Sequence, residues 1–141
     1  MAKTTVVIDT NVLVAAFRSS RGAANRLLVR LDDERFEIAV STPLLFEYED
    51  VLKRPEMSQF ISHEDVDEAI ENIRVIAKEY EIFFLWRLLA ADPDDAFILE
   101  LAVRSNAEYL VTYNPKDFAS VADFGITLIT PRDFLDLMRM K

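Results

Sequence analysis

Short unbroken apolar runs alternate along this chain with stretches in which apolar residues recur every three or four positions. Lys3–Ile8 predicts a buried strand. Asn11–Phe17 predicts a short helix, and Ala23–Leu31 another after the turn Ser19-Ser20-Arg21-Gly22. Phe36–Val40 reads as a second strand. Thr42-Pro43 supplies an N-cap and first-turn proline for a helix to about Lys53, which Arg54-Pro55 ends. Glu64–Tyr80 carries Val66, Ile70, Ile73 and Ala77 at helical spacing, and Glu81–Leu85 reads as a strand. Asp92-Pro93 opens a helix to about Ser105. Glu108–Thr112 is a strand, Asn114-Pro115 a turn, Ile126–Ile129 a last strand and Pro131–Met138 a last helix. Strands that alternate with helices predict a three-layer α/β/α arrangement around a mainly parallel, roughly five-stranded sheet. No linker, repeat or low-complexity stretch interrupts the pattern, so residues 1–141 read as one domain.

Three carboxylates break this apolar pattern. Asp9 ends the run Thr5-Val6-Val7-Ile8, Glu47 sits within Leu44-Leu45-Phe46-Glu47-Tyr48, and Asp95 opens Ala96–Val103. An unpaired buried carboxylate costs several kcal/mol, on the order of the whole margin of folding stability. Three of them suggest a shared cation. Each also has a plainer reading. Asp9 can be a helix N-cap. Glu47 and Glu49 flank the two edges of an apolar stripe, and periodicity does not choose between them. Asp95 aligns with Leu99 and Ala102, opposite a polar face centred between Glu100 and Arg104, so it is the strongest of the three. Ligands of parallel α/β sheets bind beyond the carboxyl ends of the strands. Asp9 is placed there, as are Thr112, Asn114 and Asp117 after the fourth strand. An ordinary Asn-Pro turn with an aspartate cap explains the latter group equally well.

Composition removes several alternatives. There is no cysteine, which excludes thiolate chemistry and fits a reducing cytoplasm. The only histidine, His63, lies in Ser62-His63-Glu64-Asp65 and reads as a solvated first-turn residue of a capped helix. The only glycines, Gly22 and Gly125, are too far apart for a phosphate loop. No stretch is long and apolar enough to span a membrane, and Met1-Ala2-Lys3-Thr4 leads into a strand rather than a signal peptide. The net charge of −9 argues at first sight against nucleic acid. Yet residues 1–31 hold Lys3, Arg18, Arg21, Arg26 and Arg30 against Asp9 alone, which is either a basic edge or the solvated faces of two helices.

Four segments in this order resemble the PIN-domain family of nucleases, and within it the bacterial toxin branch of toxin–antitoxin pairs. They are Val7–Leu13 around Asp9, Ser41–Leu52 around Glu47, Asp94–Ala102 around Asp95, and Leu110–Phe118 around Thr112 and Asn114. The resemblance selects Glu47 over Glu49. Many members carry an aspartate where this chain has Asn114, and Asp117 lies one turn on as a substitute carboxylate.

The resemblance implies a magnesium- or manganese-dependent endoribonuclease that cleaves single-stranded RNA by metal-activated water. Asp9, Glu47 and Asp95 would be its catalytic and metal-binding residues, with Asp117 as a further ligand. Asn11, Thr112 and Asn114 would orient ligands and water. Arg18, Arg21 and Arg26 would contact RNA phosphates. A cognate antitoxin protein, a homodimer and a cytoplasmic location are implied as well. Two other readings stay open: a degenerate PIN module that binds RNA or a protein without cleaving, and another Mg-dependent phosphohydrolase. A haloacid-dehalogenase-type phosphatase would need Asp-x-Asp after the first strand, where this chain has Asn11.

Overall fold

The computed structural model describes residues 3–83 and 95–139. Its first strand, β1 (Thr4–Ile8), ends in Val6-Val7-Ile8, all three buried, as a central strand covered on both faces requires. The chain continues through α1 (Thr10–Arg18), α2 (Ala23–Leu28), β2 (Phe36–Val40), α3 (Thr42–Leu52) and a 3-10 turn at Pro55–Met57. Then come α4 (His63–Ile76), β3 (Lys78–Glu79), α5 (Ala96–Arg104) and β4 (Tyr109–Val111). A kinked 3-10 segment (Pro115–Phe124), β5 (Thr127–Ile129) and α6 (Pro131–Leu137) complete it. Gly125 ends the 3-10 segment at φ +76°, a left-handed conformation that side chains disfavour.

The five strands lie in the order β3-β2-β1-β4-β5, and every pairing among them is parallel. Helix α1 packs on both α2 and α3, α4 packs on α3, and α6 joins α2. Helix α5 lies on β1 and β2 and packs against the 3-10 segment. Phe134 of α6 meets Phe36 and Tyr109 edge-on at ring distances of 5.2 and 5.8 Å, which ties that helix to the sheet. From β1 the chain passes to β2 on one side, whereas from β4 it passes to β5 on the other. The strand order therefore reverses between β1 and β4, and parallel α/β sheets bind their ligands beyond the carboxyl ends at such a point.

Four local expectations shift. Helix α3 takes Ser41, not Thr42, as its N-cap: the buried Ser41 hydroxyl accepts the Leu44 N–H at 3.3 Å, and Pro43 falls within the first turn. Helix α2 stops at Leu28, short of Leu31. Helix α4 stops at Ile76, because Ala77 turns extended (ψ 159°) and the next residues pair with β2. The third strand is therefore Lys78–Glu79, and Glu81–Phe83, the described part of the expected Glu81–Leu85 strand, is not in the sheet. Both its residues are exposed, so this edge strand has the polar composition that protects sheet edges. The apolar Ile82-Phe83 drew the expectation further along the chain. Phe84, Leu85 and the Asp92-Pro93 start lie outside the described residues. Ser62 caps α4 through the Asp65 N–H at 3.1 Å, as expected. His63 is exposed, with Nε2 3.1 Å from the Lys53 carbonyl oxygen.

Candidate active site

Pairing of Ile8 with Val111 sets the ends of β1 and β4 side by side. The next residues, Asp9 and Thr112, meet directly beyond the strand ends. The Asp9 N–H donates to the Val111 carbonyl at 2.9 Å, and the Thr112 hydroxyl donates to Asp9 Oδ2 at 2.7 Å. Asp9 precedes α1 in the N-cap position, yet its side chain makes no capping hydrogen bond. The capping explanation for this carboxylate therefore fails. Asp9 is only 8% exposed and Thr112 1%. Burial raises the Asp9 pKa from 3.8 to about 6. The Thr112 hydroxyl and the adjacent Thr10 amide pull it down, while the charges of Glu47 and Asp117 push it up.

Helix α3 begins at the carboxyl end of β2 and brings Glu47 to the same rim. Glu47 is half-buried, and its Oε2 accepts a hydrogen bond from the hydroxyl of Thr10. The next residue, Tyr48, is buried in the core, and its hydroxyl donates to the Ile8 carbonyl. Burial first, then the Asp9 and Glu47 charges, push that phenol well above its usual range, so it stays protonated and keeps donating. Two contacts thus register α3 against the junction of β1 and α1.

Asn11 and Asn114 act on the loop after β4. Asn11 Oδ1 accepts the Tyr113 N–H at 3.3 Å, and the Asn114 N–H donates to the Thr112 hydroxyl at 3.0 Å. A chain of donors therefore runs from Asn114 through Thr112 to Asp9. The Asn114 side chain is exposed, whereas Asp117, in the following turn, is half-buried and close enough for its charge to act on Asp9. Asp95 is half-buried in the N-cap position of α5. Among the described residues, no three acidic or histidine side chains gather into a group that could hold a metal ion, so Asp95 does not close a cage with Asp9 and Glu47. The donor set around Asp9 still suits a hard dication. It is built of oxygen, Asp9 resists ionising where it stands, and such a cation binds through one or two carboxylates while keeping several waters.

Arg18, Arg21 and Arg26 are all exposed. Arg18 lies at the far end of α1 from Asp9, its guanidinium 5.5 Å from the Phe60 ring. Sequence reasoning passed over three residues. Thr10 looks like part of an ordinary helix start. Tyr48 looks like a member of the apolar stripe, although a buried phenol needs a partner. Glu100, placed by periodicity on the polar face of α5, is fully buried. The chain at Phe83 covers it. The Phe83 N–H donates to Glu100 Oε2 at 2.6 Å, Arg104 Nε donates at 3.2 Å, and the Arg104 guanidinium lies 4.5 Å from the centre of the Phe83 ring.

A profile of the PIN domain matches residues 5–116, a span that contains Asp9, Glu47, Asp95, Thr112 and Asn114. The chain belongs to the PIN-domain family. Solved structures with this PIN fold include a VapBC2 complex from Rickettsia felis bound to a DNA fragment from its promoter. It is 18% identical, with 90% of this chain and 98% of that chain covered and a TM-score of 0.59. VapBC-1 from nontypeable Haemophilus influenzae is 15% identical, covering 92% and 99%, with a TM-score of 0.61. Mycobacterium tuberculosis VapC20, described as a sarcin-ricin-loop-cleaving toxin, is 14% identical, covering 82% and 94%, with a TM-score of 0.58. At these identities the likeness is one of fold. No curated protein sequence matches the chain.

Proposed function

We propose that this PIN domain is a Mg²⁺- or Mn²⁺-dependent endoribonuclease, the toxin of a toxin–antitoxin pair, acting on single-stranded RNA in the cytoplasm. The observation that carries the reading is Asp9. It is a buried carboxylate at the strand-order reversal, held by Thr112 and facing the charges of Glu47 and Asp117. Asp9 and Glu47 would hold the cation, waters completing its coordination, while Asp117 and Asp95 would add negative charge from the loop after β4 and the start of α5. A bound dication supplies positive charge at the scissile phosphate and makes water a stronger acid. The chain's own residues do the rest. Thr112 orients Asp9, Asn114 fixes Thr112 through its backbone N–H, and Asn11 holds the loop that carries both. Arg18, Arg21 and Arg26 would steer the RNA backbone towards an otherwise acidic surface.

The antitoxin partner in this reading has a surface to occupy. A groove of about 510 Å³ runs between α1–α2 and α4, lined by Phe17, Leu28, Val29, Ile73, Val75 and Ile76. Val29 and Val75 are 64% and 75% exposed, and Asp32, Asp65 and Glu68 border the groove and its extension. An amphipathic helix with basic flanks fits such a surface. VapBC neighbours from Rickettsia felis and Haemophilus influenzae support a toxin–antitoxin pair, and the same reading carries a homodimer.

The test is cleavage of a single-stranded RNA oligonucleotide by the purified chain in millimolar Mn²⁺, with and without EDTA. Internal cutting should stop with EDTA, and Asp9→Asn should lose roughly 10²-fold or more. Equal cutting by wild type and Asp9→Asn would expose a contaminant. Absence of cutting together with RNA binding would point to a degenerate module.

A further inference from the structure

We infer that Thr10 is a positioning residue that fixes the Glu47 carboxylate for divalent-cation binding, an inference that rests on the metal-dependent reading above. Glu47 projects from the edge of the apolar stripe of α3 and is only half-buried. A glutamate in that setting samples many rotamers, and fixing one costs up to about 2 kcal/mol of side-chain entropy. A ligand carboxylate that must find its place anew for each ion binds weakly.

Thr10 removes that freedom. It is the first residue of α1, directly after Asp9, and is 6% exposed. Its β-branched side chain has few rotamers. Its backbone stands between two anchors, the Asp9 N–H to Val111 at 2.9 Å and the Val12 N–H to the Asp9 carbonyl at 3.0 Å. The hydroxyl is therefore aimed by the main chain, and it donates to Glu47 Oε2 across the gap between α1 and α3. On the neighbouring strand, Thr112 donates in the same way to Asp9 at 2.7 Å. Asp9 and Glu47 are thus each held by a threonine hydroxyl from beyond a strand end. Tyr48 serves a different purpose. Its hydroxyl braces α3 against the Ile8 carbonyl, a main-chain acceptor.

That contrast supplies the experiment. Metal-free wild type, Thr10→Val, Thr10→Ser and Tyr48→Phe are titrated with Mn²⁺, free ion being followed by electron paramagnetic resonance, and each is melted in EDTA. Thr10→Val should bind Mn²⁺ roughly 10-fold more weakly, the loss expected when a group orienting a metal ligand is removed. Thr10→Ser keeps the hydroxyl and should bind close to wild type. Tyr48→Phe should melt lower but keep its Mn²⁺ affinity. Thr10→Ala, which removes the hydroxyl without adding a methyl group, serves if the valine does not fold. Wild-type affinity in the hydroxyl-free variants overturns the inference, and so does a Tyr48→Phe protein that weakens as much as Thr10→Val. RNA cleavage is read in the same samples. A wild type that binds Mn²⁺ but spares RNA refutes the nuclease reading and leaves Thr10's role standing. A wild type that binds no Mn²⁺ overturns the role of Thr10 in binding.

Discussion

Asp9 offers a test of the site that needs neither substrate nor metal. In the folded chain its carboxyl titrates at about 6, against an ordinary 3.8, chiefly because burial disfavours the charged form. A raised carboxyl pKa means that folding takes up a proton in the interval between the two values. The associated stability is complete below about pH 4 and is lost as pH rises through 6. At pH 8 in EDTA the folded protein carries this charge at a penalty of about 3 kcal/mol. Asp9→Asn removes the penalty, and its amide oxygen can still accept from Thr112. The variant forfeits a second acceptor beside the Thr10 amide, worth about 1 kcal/mol. The net gain is then about 2 kcal/mol, which for a chain of this size raises the melting temperature by about 4–8 °C. At pH 4.5 the gain should disappear. Differential scanning calorimetry of both proteins from pH 4.5 to 8 in EDTA makes the comparison. An Asp9→Asn protein that melts at or below wild type across that range would refute the view of Asp9 as a desolvated, disfavoured charge.

Asp117→Asn should weaken Mn²⁺ binding by roughly 10-fold if Asp117 shares the cation with Asp9, and Asn114→Asp should then change it little; parallel Mn²⁺ titrations of the two variants decide. Glu100→Ala leaves the Phe83 N–H and the Arg104 guanidinium without their buried acceptor and should destabilise by about 3 kcal/mol in urea unfolding. Replacing Arg18, Arg21 or Arg26 with alanine should weaken RNA binding and lower the slope of log affinity against log salt by about 0.7 for each phosphate no longer neutralised, as read by fluorescence anisotropy. Phe134→Ala removes the ring that joins α6 to Phe36 and Tyr109 and should destabilise by about 3–5 kcal/mol.

What could be read from the sequence divides along a physical line. Periodicity reports burial, so elements whose burial follows a simple rule were legible. The strands Thr4–Ile8, Phe36–Val40 and Tyr109–Val111, and the amphipathic α4, are such cases. Lys78–Glu79 was not legible, because an exposed edge strand carries no apolar alternation and its identity comes from the carbonyls and amides of β2. Glu100 shows the same limit from the other side. Its polar character is real, but the chain at Phe83 folds over it, and a helical wheel contains no information about which distant segments pack on it.

The candidate site separates in a similar way. Asp9 and Thr112 could be placed beyond two strand ends on one rim from the α/β alternation alone, since parallel sheets put all carboxyl ends on the same side, whereas the adjacency of those strands could not. Their hydrogen bond depends on the register that pairs Ile8 with Val111, which the sequence pattern does not specify. Glu47 needs one further step. Only the packing of α1 against α3 brings Thr10 to it, and that contact distinguishes Glu47 from Glu49, which instead pairs with Lys53 at 2.8 Å. Two glutamates that the apolar stripe of α3 leaves equivalent thus acquire different roles from their neighbours. One joins a half-buried i,i+4 ion pair with Lys53, a contact of small energetic weight. The other accepts the buried hydroxyl of Thr10, next to Asp9. The geometry of the candidate site is therefore a property of the tertiary contacts around Thr10 and Thr112, built on carboxylates that the chain pattern could identify only as out of place.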